Sequence, residues 1–147
     1  MHTNPTSTVL RTLIDTVQDS IKGYRQSADA AQSPDIRALF DNRIERREMT
    51  LDRLNAELTR LGGEMDHDGS TAGALHRVWT RITAMLDSGD EAVVDRVEEG
   101  ESYLADKFET ALEDDSLDPQ ARQVIESGLR EIREGERLAE QLGAKLH

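Results

Sequence analysis

The sequence predicts an all-α protein: a four-helix bundle of two helix hairpins, with an additional short crossover helix between them. Three observations carry that expectation. Long segments repeat apolar residues every three to four positions, the spacing that lines one face of a helix. The chain has only three prolines, and each stands where a helix would begin. Glycines or Ser/Asp-rich turns punctuate the segments at the other ends.

The first predicted helix covers about 6–31, after Pro5, with Leu10, Leu13, Ile14, Val17, Ile21, Tyr24 and Ala28 on one face. Ser33-Pro34-Asp35 reads as an N-cap, a proline at the first helical position and an acid facing the helix dipole. The helix it opens runs over 34–61 and stops at Gly62-Gly63. A polar connection follows, and Ser70 caps a shorter third helix over 70–87. Ser88-Gly89-Asp90-Glu91 offers a stop and a capping box for the fourth, 90–113. Asp118-Pro119-Gln120 repeats the Ser-Pro-Asp device and opens the fifth, 118–142. When Pro34 and Pro119 are superposed, Ile44, Leu54 and Leu61 fall on Leu129, Ala139 and Leu146. This internal echo suggests two stacked hairpins. Four helices of about 25 residues are roughly 38 Å long. The short third helix then acts as the single long crossover of ferritin-like folds. The whole chain, 1–147, reads as one domain of that architecture.

Composition excludes several function classes. Thirty acidic residues against eighteen basic ones give a formal net charge of −12. That sign disfavours nucleic acid and anionic membrane surfaces as partners; most of it is the solvated outer face of amphipathic helices. With no cysteine, thiol catalysis, disulfides and cysteine-ligated metal are excluded. No leader-like segment or membrane-length apolar run occurs, so the expected location is the cytoplasm.

Helical-wheel arithmetic places unusual polar groups inside the bundle. The stripe of the second helix is Ile36, Phe40, Ile44, Leu51, Leu54, Leu58 and Leu61, and Arg43 and Arg47 fall within it. On the fourth helix Glu101 lies among Val94, Val97, Leu104, Phe108 and Leu112, with Glu98 at the flank. Tyr24 is inward on the first helix, and Glu131 borders the stripe of Val124, Ile125, Ile132 and Leu138 on the last. A buried charge must be paired. The expected centre is therefore a layer of Tyr24, Arg43, Arg47, Glu98, Glu101 and Glu131, with Arg47 on Glu101. It serves either as a register device or as a remodelled active site in which guanidinium replaces metal.

A di-iron bundle needs a Glu from each of two helices and a Glu-x-x-His from each of the others. The four histidines are His2, His67, His76 and His147, and none follows a glutamate by three residues. Glu45-x-x-Glu48 and Glu131-x-x-Glu134 keep the spacing without the imidazole. Asp66-His67-Asp68 reads as an acidic loop rather than a cation site. The residues imply no cofactor and no catalytic set.

The segment Gly69-Ser70-Thr71-Ala72-Gly73-Ala74-Leu75-His76-Arg77-Val78-Trp79 is the most distinctive stretch. With Gly23-Tyr24, Leu61-Gly62-Gly63 and Glu98-Glu99-Gly100-Glu101, it resembles a family of small bacterial proteins. These are ferritin-like four-helix bundles catalogued as a domain of unknown function. The resemblance runs from about Thr8 to Leu142 and implies the ferritin-like fold and bacterial, stress- or stationary-phase-linked biology. It implies no activity. Where members look acidic before Gly-Tyr, this chain has Ile21 and Lys22, which counts against metal.

On the third helix, Leu75, Val78, Trp79, Ile82 and Leu86 form an apolar side that would lie over the bundle. Trp79 then reads as a packing anchor and His76 as a half-buried hydrogen-bonding residue or end-cap; the alternative is a binding cleft between crossover and bundle, bordered by His76, Arg77 and Trp79. The leading functional expectation is a non-enzymatic, acidic bundle acting as an interaction or stress-associated protein, its partner another protein or a second copy. The alternative is a ferritin-like metal-binding protein or oxidase with an atypical carboxylate site.

Overall fold

A computed structural model describes residues 5–63 and 89–146. They form four helices: α1 (Pro5–Ala30), α2 (Pro34–Arg60), α3 (Asp90–Leu112) and α4 (Pro119–Leu146). Among the described residues there is no strand. The short helix expected over 70–87, with His76, Arg77 and Trp79, lies outside them.

Each hairpin is closed by side chains that satisfy orphan helix-end groups. Pro34 and Pro119 stand at the start of α2 and α4, and each is followed three residues later by an arginine. Arg37 turns back to the last turn of α1, donating to Ala28 O (3.2 Å) and Ala31 O (2.8 Å). Arg122 does the same for α3, donating to Leu112 O (2.9 Å) and Asp114 O (2.5 Å). The internal echo thus extends from apolar positions to helix-end chemistry. Asp118 caps α4, its Oδ2 accepting from the amides of Gln120 and Ala121 at 3.1 Å each. Ser33 has extended N-cap geometry but makes no side-chain cap.

The C-terminus of α2 follows the expected glycine stop. Gly62 takes φ +87°, a value that costs glycine nothing. Its amide reaches Thr59 O (3.0 Å), and that of Gly63 reaches Leu58 O (2.8 Å), the paired bonds of a Schellman motif. At α3 the N-cap is Gly89, φ +85°, one residue after the serine expected to head a capping box. Glycine has no side chain to cap with. Asp90 instead accepts from the amides of Gln32 (2.7 Å) and Ser33 (3.0 Å).

That contact fixes the topology. The start of α3 sits beside the α1–α2 turn, while Asp118 N donates to Thr6 Oγ1 (3.0 Å) at the opposite end. α2 and α3 therefore run parallel, and each hairpin is antiparallel. The hairpins α1–α2 and α3–α4 are the closest pairings; α1 also packs on α3, and α2 on α4.

The stripe foreseen on α1 is buried throughout. Ile36, Phe40, Leu54 and Leu58 are buried on α2, while Ile44, Leu51 and Leu61 pack against the core from its edge. On α3 the interior takes Val94, Val97, Leu104 and Phe108, with Leu112 at the edge. The last helix continues past its expected end near 142, through Gly143 to Leu146. Gly143 is there a packing residue rather than a stop.

It belongs to a row. The buried positions of α4 are Ala121, Ile125, Gly128, Ile132, Gly135, Ala139 and Gly143. Shifted by the spacing of the two prolines, they coincide with Ile36, Phe40, Arg43, Arg47, Thr50, Leu54 and Leu58 of α2. The burial pattern is shared, but the sizes are not. The small residues of α4 leave room for side chains from both α3 and α2: a Cβ on Gly128 would lie 2.8 Å from Phe108 Cε2 of α3 and 3.2 Å from Thr50 Cγ2 of α2.

Two glycine substitutions should therefore move stability in opposite directions. Gly128→Ala gains up to about 1 kcal/mol of helix propensity but overpacks a buried ring, which costs about 1–3 kcal/mol. It should lower the urea midpoint. A Cβ on Gly143 would meet only ordinary contacts of 3.7–3.9 Å, so Gly143→Ala should raise it.

Candidate functional site

All four helices send a polar side chain to one level of the core, and Arg47 of α2 is its centre. Arg47 is fully buried, and a guanidinium carries five N–H donors and no acceptor. Every nitrogen is engaged. Nη1 donates to Ser20 Oγ and Glu101 Oε1, both at 2.9 Å. Nη2 donates to Glu101 Oε2 at 2.5 Å and Glu131 Oε2 at 3.0 Å. Nε donates to Glu131 Oε1 at 2.7 Å. Arg47 thus holds one carboxylate end-on and a second side-on, each as a bidentate fork.

The carboxylates are equally committed. Glu101, from α3, is fully buried, and its Oε2 also accepts from the Tyr24 hydroxyl of α1 at 2.8 Å. Glu131, from α4, accepts from Thr50 Oγ1 (2.9 Å) and from Arg43 Nη2 in a short contact. Arg43 Nη2 also donates to the Glu131 carbonyl at 2.7 Å. Ser20 passes its own proton to Val17 O (2.7 Å), leaving its lone pair for Arg47. The layer is formally neutral, two arginines against two glutamates. Only Arg43 is incompletely satisfied, its Nε and Nη1 lacking a hydrogen-bond partner, although Nη1 lies 3.8 Å from Glu134 Oε2.

The electrostatics follow from this packing. Burial opposes the charge on Arg47, but Glu101 and Glu131 outweigh it and hold the guanidinium firmly protonated. Burial, then the Glu101 charge, pushes the Tyr24 phenol well above its ordinary range, only partly offset by Arg47. Tyr24 therefore stays a neutral donor. Burial alone would raise the Glu131 carboxyl; Arg47, with Arg43 and Thr50, overrides it and holds the acid below its usual range. The Tyr24 ring completes the setting, with Arg47 Cζ 5.6 Å from its centroid and Phe40 edge-on at 5.7 Å.

Room for all this comes from Gly135 of α4. A Cβ there would fall 2.2 Å from Glu101 Oε2, 3.2 Å from the Tyr24 hydroxyl and 3.3 Å from Arg43 Nε. No other residue leaves that volume empty.

Of the six residues expected in the layer, Tyr24, Arg43, Arg47, Glu101 and Glu131 meet. Glu98 lies outside it, half-buried in a surface groove with Asp95, Ser102 and Glu136. The reason is angular: Glu98 sits one helical step beyond Val97, on the outer side of the α3 stripe. Ser20, Thr50 and Gly135 are members that the wheel arithmetic did not single out. Each leaves a signal in the sequence: Ser20 lies four before Tyr24, Thr50 three after Arg47, and Gly128, Gly135 and Gly143 recur at seven and eight inside a helix. The candidate cleft residues His76, Arg77 and Trp79 lie outside the described residues.

The family described as Domain of unknown function (DUF2383) matches residues 5–114. The chain belongs to that family. The match spans α1, α2 and α3, and so Tyr24, Arg43, Arg47 and Glu101, while Glu131 and Gly135 lie beyond it. No curated protein and no solved structure matches the chain.

The low-set Glu131 carboxyl gives a pH signature. Its folded pKa lies below the unfolded value of about 4.3, so its stabilisation is present above that value and fades as pH falls through the folded pKa. The stability gap between wild type and Glu131→Gln, from urea titrations, should therefore hold nearly constant at about pH 6 and narrow as the pH falls below about 4.3 toward 3. A gap independent of pH would mean that Glu131 does not hold its charge in the fold.

Proposed function

We propose that this DUF2383 member is a non-enzymatic, ferritin-like bundle whose centre is an arginine–carboxylate lock, and that it acts through its surface on a protein partner or a second copy of itself. The ferritin-like assignment is supported by the parallel α2 and α3, since a bundle of two antiparallel hairpins with parallel middle helices needs one connection along its length. No helix of the described residues is long and apolar enough to cross a membrane. Together with the resemblance to small bacterial, stress-linked proteins, that supports action in the bacterial cytoplasm.

The observation that carries the reading is the state of the carboxylates. A ferritin-like metal centre would place inward glutamates from facing helices around a cation, and Glu101 and Glu131 are inward glutamates from facing helices. Both are gripped by Arg47, however, and Glu131 by Arg43 as well. A guanidinium fork occupies the lone pairs that a cation would need and adds its own positive charge at that point. Among the described residues no group of three or more His, Cys, Asp or Glu is arranged to hold a metal. The donor set does not fit a dinuclear site.

The alternative of a metal-binding protein or oxidase rests on the same two carboxylates and requires Arg47 to leave. Metal loading separates the two readings. Purified chain incubated anaerobically with ferrous iron, then with manganese or zinc, and desalted should retain well under one ion per chain. Retention near two per chain, the load of a dinuclear bundle, would replace the lock with a metal centre.

A further inference from the structure

We propose that the α2–α4 face carries a site for a small oxyanion, a single phosphoryl- or carboxylate-bearing group, gripped by Arg46, Arg53 and Arg130. These three arginines line one groove of about 250 Å³, together with Thr50, Ser127 and Glu134. Arg46 and Arg53 lie seven apart on α2 and Arg130 comes from α4, so the groove gathers charge from two helices rather than one helix end. All three are exposed.

In a chain of net charge −12 such a cluster is out of keeping with its surroundings. Several arginines elsewhere on the bundle have acidic partners: Arg25 pairs with Glu48, Arg60 with Glu57 and Asp118, and Arg133 with Glu136. Arg46 and Arg130 form no hydrogen bond or ion pair with the described residues, and Arg53 makes only a long contact to Ser127 Oγ (3.4 Å).

The acids beside them do not neutralise the cluster. Glu131 is held inward by Arg43, Arg47 and Thr50, and the buried layer is already neutral without the rim. Glu134 is the remaining acid, and it is drawn toward Arg43 Nη1 beneath it. Three rim arginines against one glutamate leave an excess of two positive charges. The Ser127 hydroxyl adds a donor that can rotate toward a ligand.

Guanidinium forks match the paired oxygens of phosphate and carboxylate groups, which sets the ligand chemistry. The volume sets its size, lying below the ~300 Å³ at which pockets begin to enclose drug-sized molecules. The site is independent of the reading of the core given above, because none of the three arginines belongs to the Arg47 layer.

Calorimetric titration of the full chain with inorganic phosphate, and separately with succinate, at matched ionic strength tests the site. At least one anion should bind saturably with Kd below about 1 mM, and which one does so distinguishes a phosphoryl from a carboxylate ligand. The Arg46→Gln/Arg130→Gln variant, altered only at exposed positions and checked for fold by circular dichroism, should bind at least tenfold more weakly. Glu134→Gln should bind more tightly. Arg11→Gln/Arg25→Gln changes the net charge equally on other faces and should leave binding unaltered. Absence of saturable binding by both anions, or an equal loss in the two double variants, overturns the proposal.

Discussion

Arg47 brings five N–H donors into a place where no water can receive them. A charge left unpaired there would cost several kcal/mol, a large share of the stability of an ordinary domain. The fold answers by directing Ser20, Glu101 and Glu131 at it from three other helices. Each partner has to arrive at one height along its helix, so a shift of any helix by one residue breaks several bonds at once. Apolar packing tolerates such slips more readily, because Leu, Ile and Val present similar surfaces at successive turns. Above and below the layer the core is of that kind, with Leu10, Leu13, Leu54 and Phe108 on one side and Phe40, Val94 and Ala28 on the other.

The second consequence is steric. Two arginines and a tyrosine at one level are wider than the space between regular helices, and α4 compensates by giving up side chains. Gly128 and Gly135 cost helix propensity of roughly 1 kcal/mol each relative to alanine. They are retained where a Cβ would strike Phe108 or the Glu101 carboxylate. The two proline-initiated helices thus share a burial pattern and the helix-end arginines Arg37 and Arg122, yet divide the layer unequally. One carries bulk and positive charge; the other carries glycine and Glu131.

Much of this was legible in the sequence, and the gaps have physical causes. The α1 stripe reads directly because its apolar positions are unbroken from Leu10 to Ala28. Arg43, Arg47 and Glu101 stand out because a charge inside an apolar stripe is rare and must be paired. Glu98 was harder to place, since one helical step separates a layer member from a surface acid and the wheel cannot resolve a flank. Ser20 and Thr50 were hidden because a hydroxyl on the inward face looks the same whether it bonds its own backbone or a distant arginine. Gly143 reads as a stop signal only when taken alone; with Gly128 and Gly135 it continues a row that packs.

The central claim is that Arg47 and Glu101 act as one unit that holds the four helices in register. A double-mutant cycle with Arg47→Met and Glu101→Leu, read by urea unfolding of the full chain, measures that unit directly. Each single replacement should cost about 3–5 kcal/mol, because the survivor is left charged and underpaired in the core. The double variant keeps Arg43 against Glu131 and so remains balanced; its cost should fall short of the sum by at least ~2 kcal/mol. Single effects that simply add would mean that the two side chains do not depend on each other, and the lock would not exist.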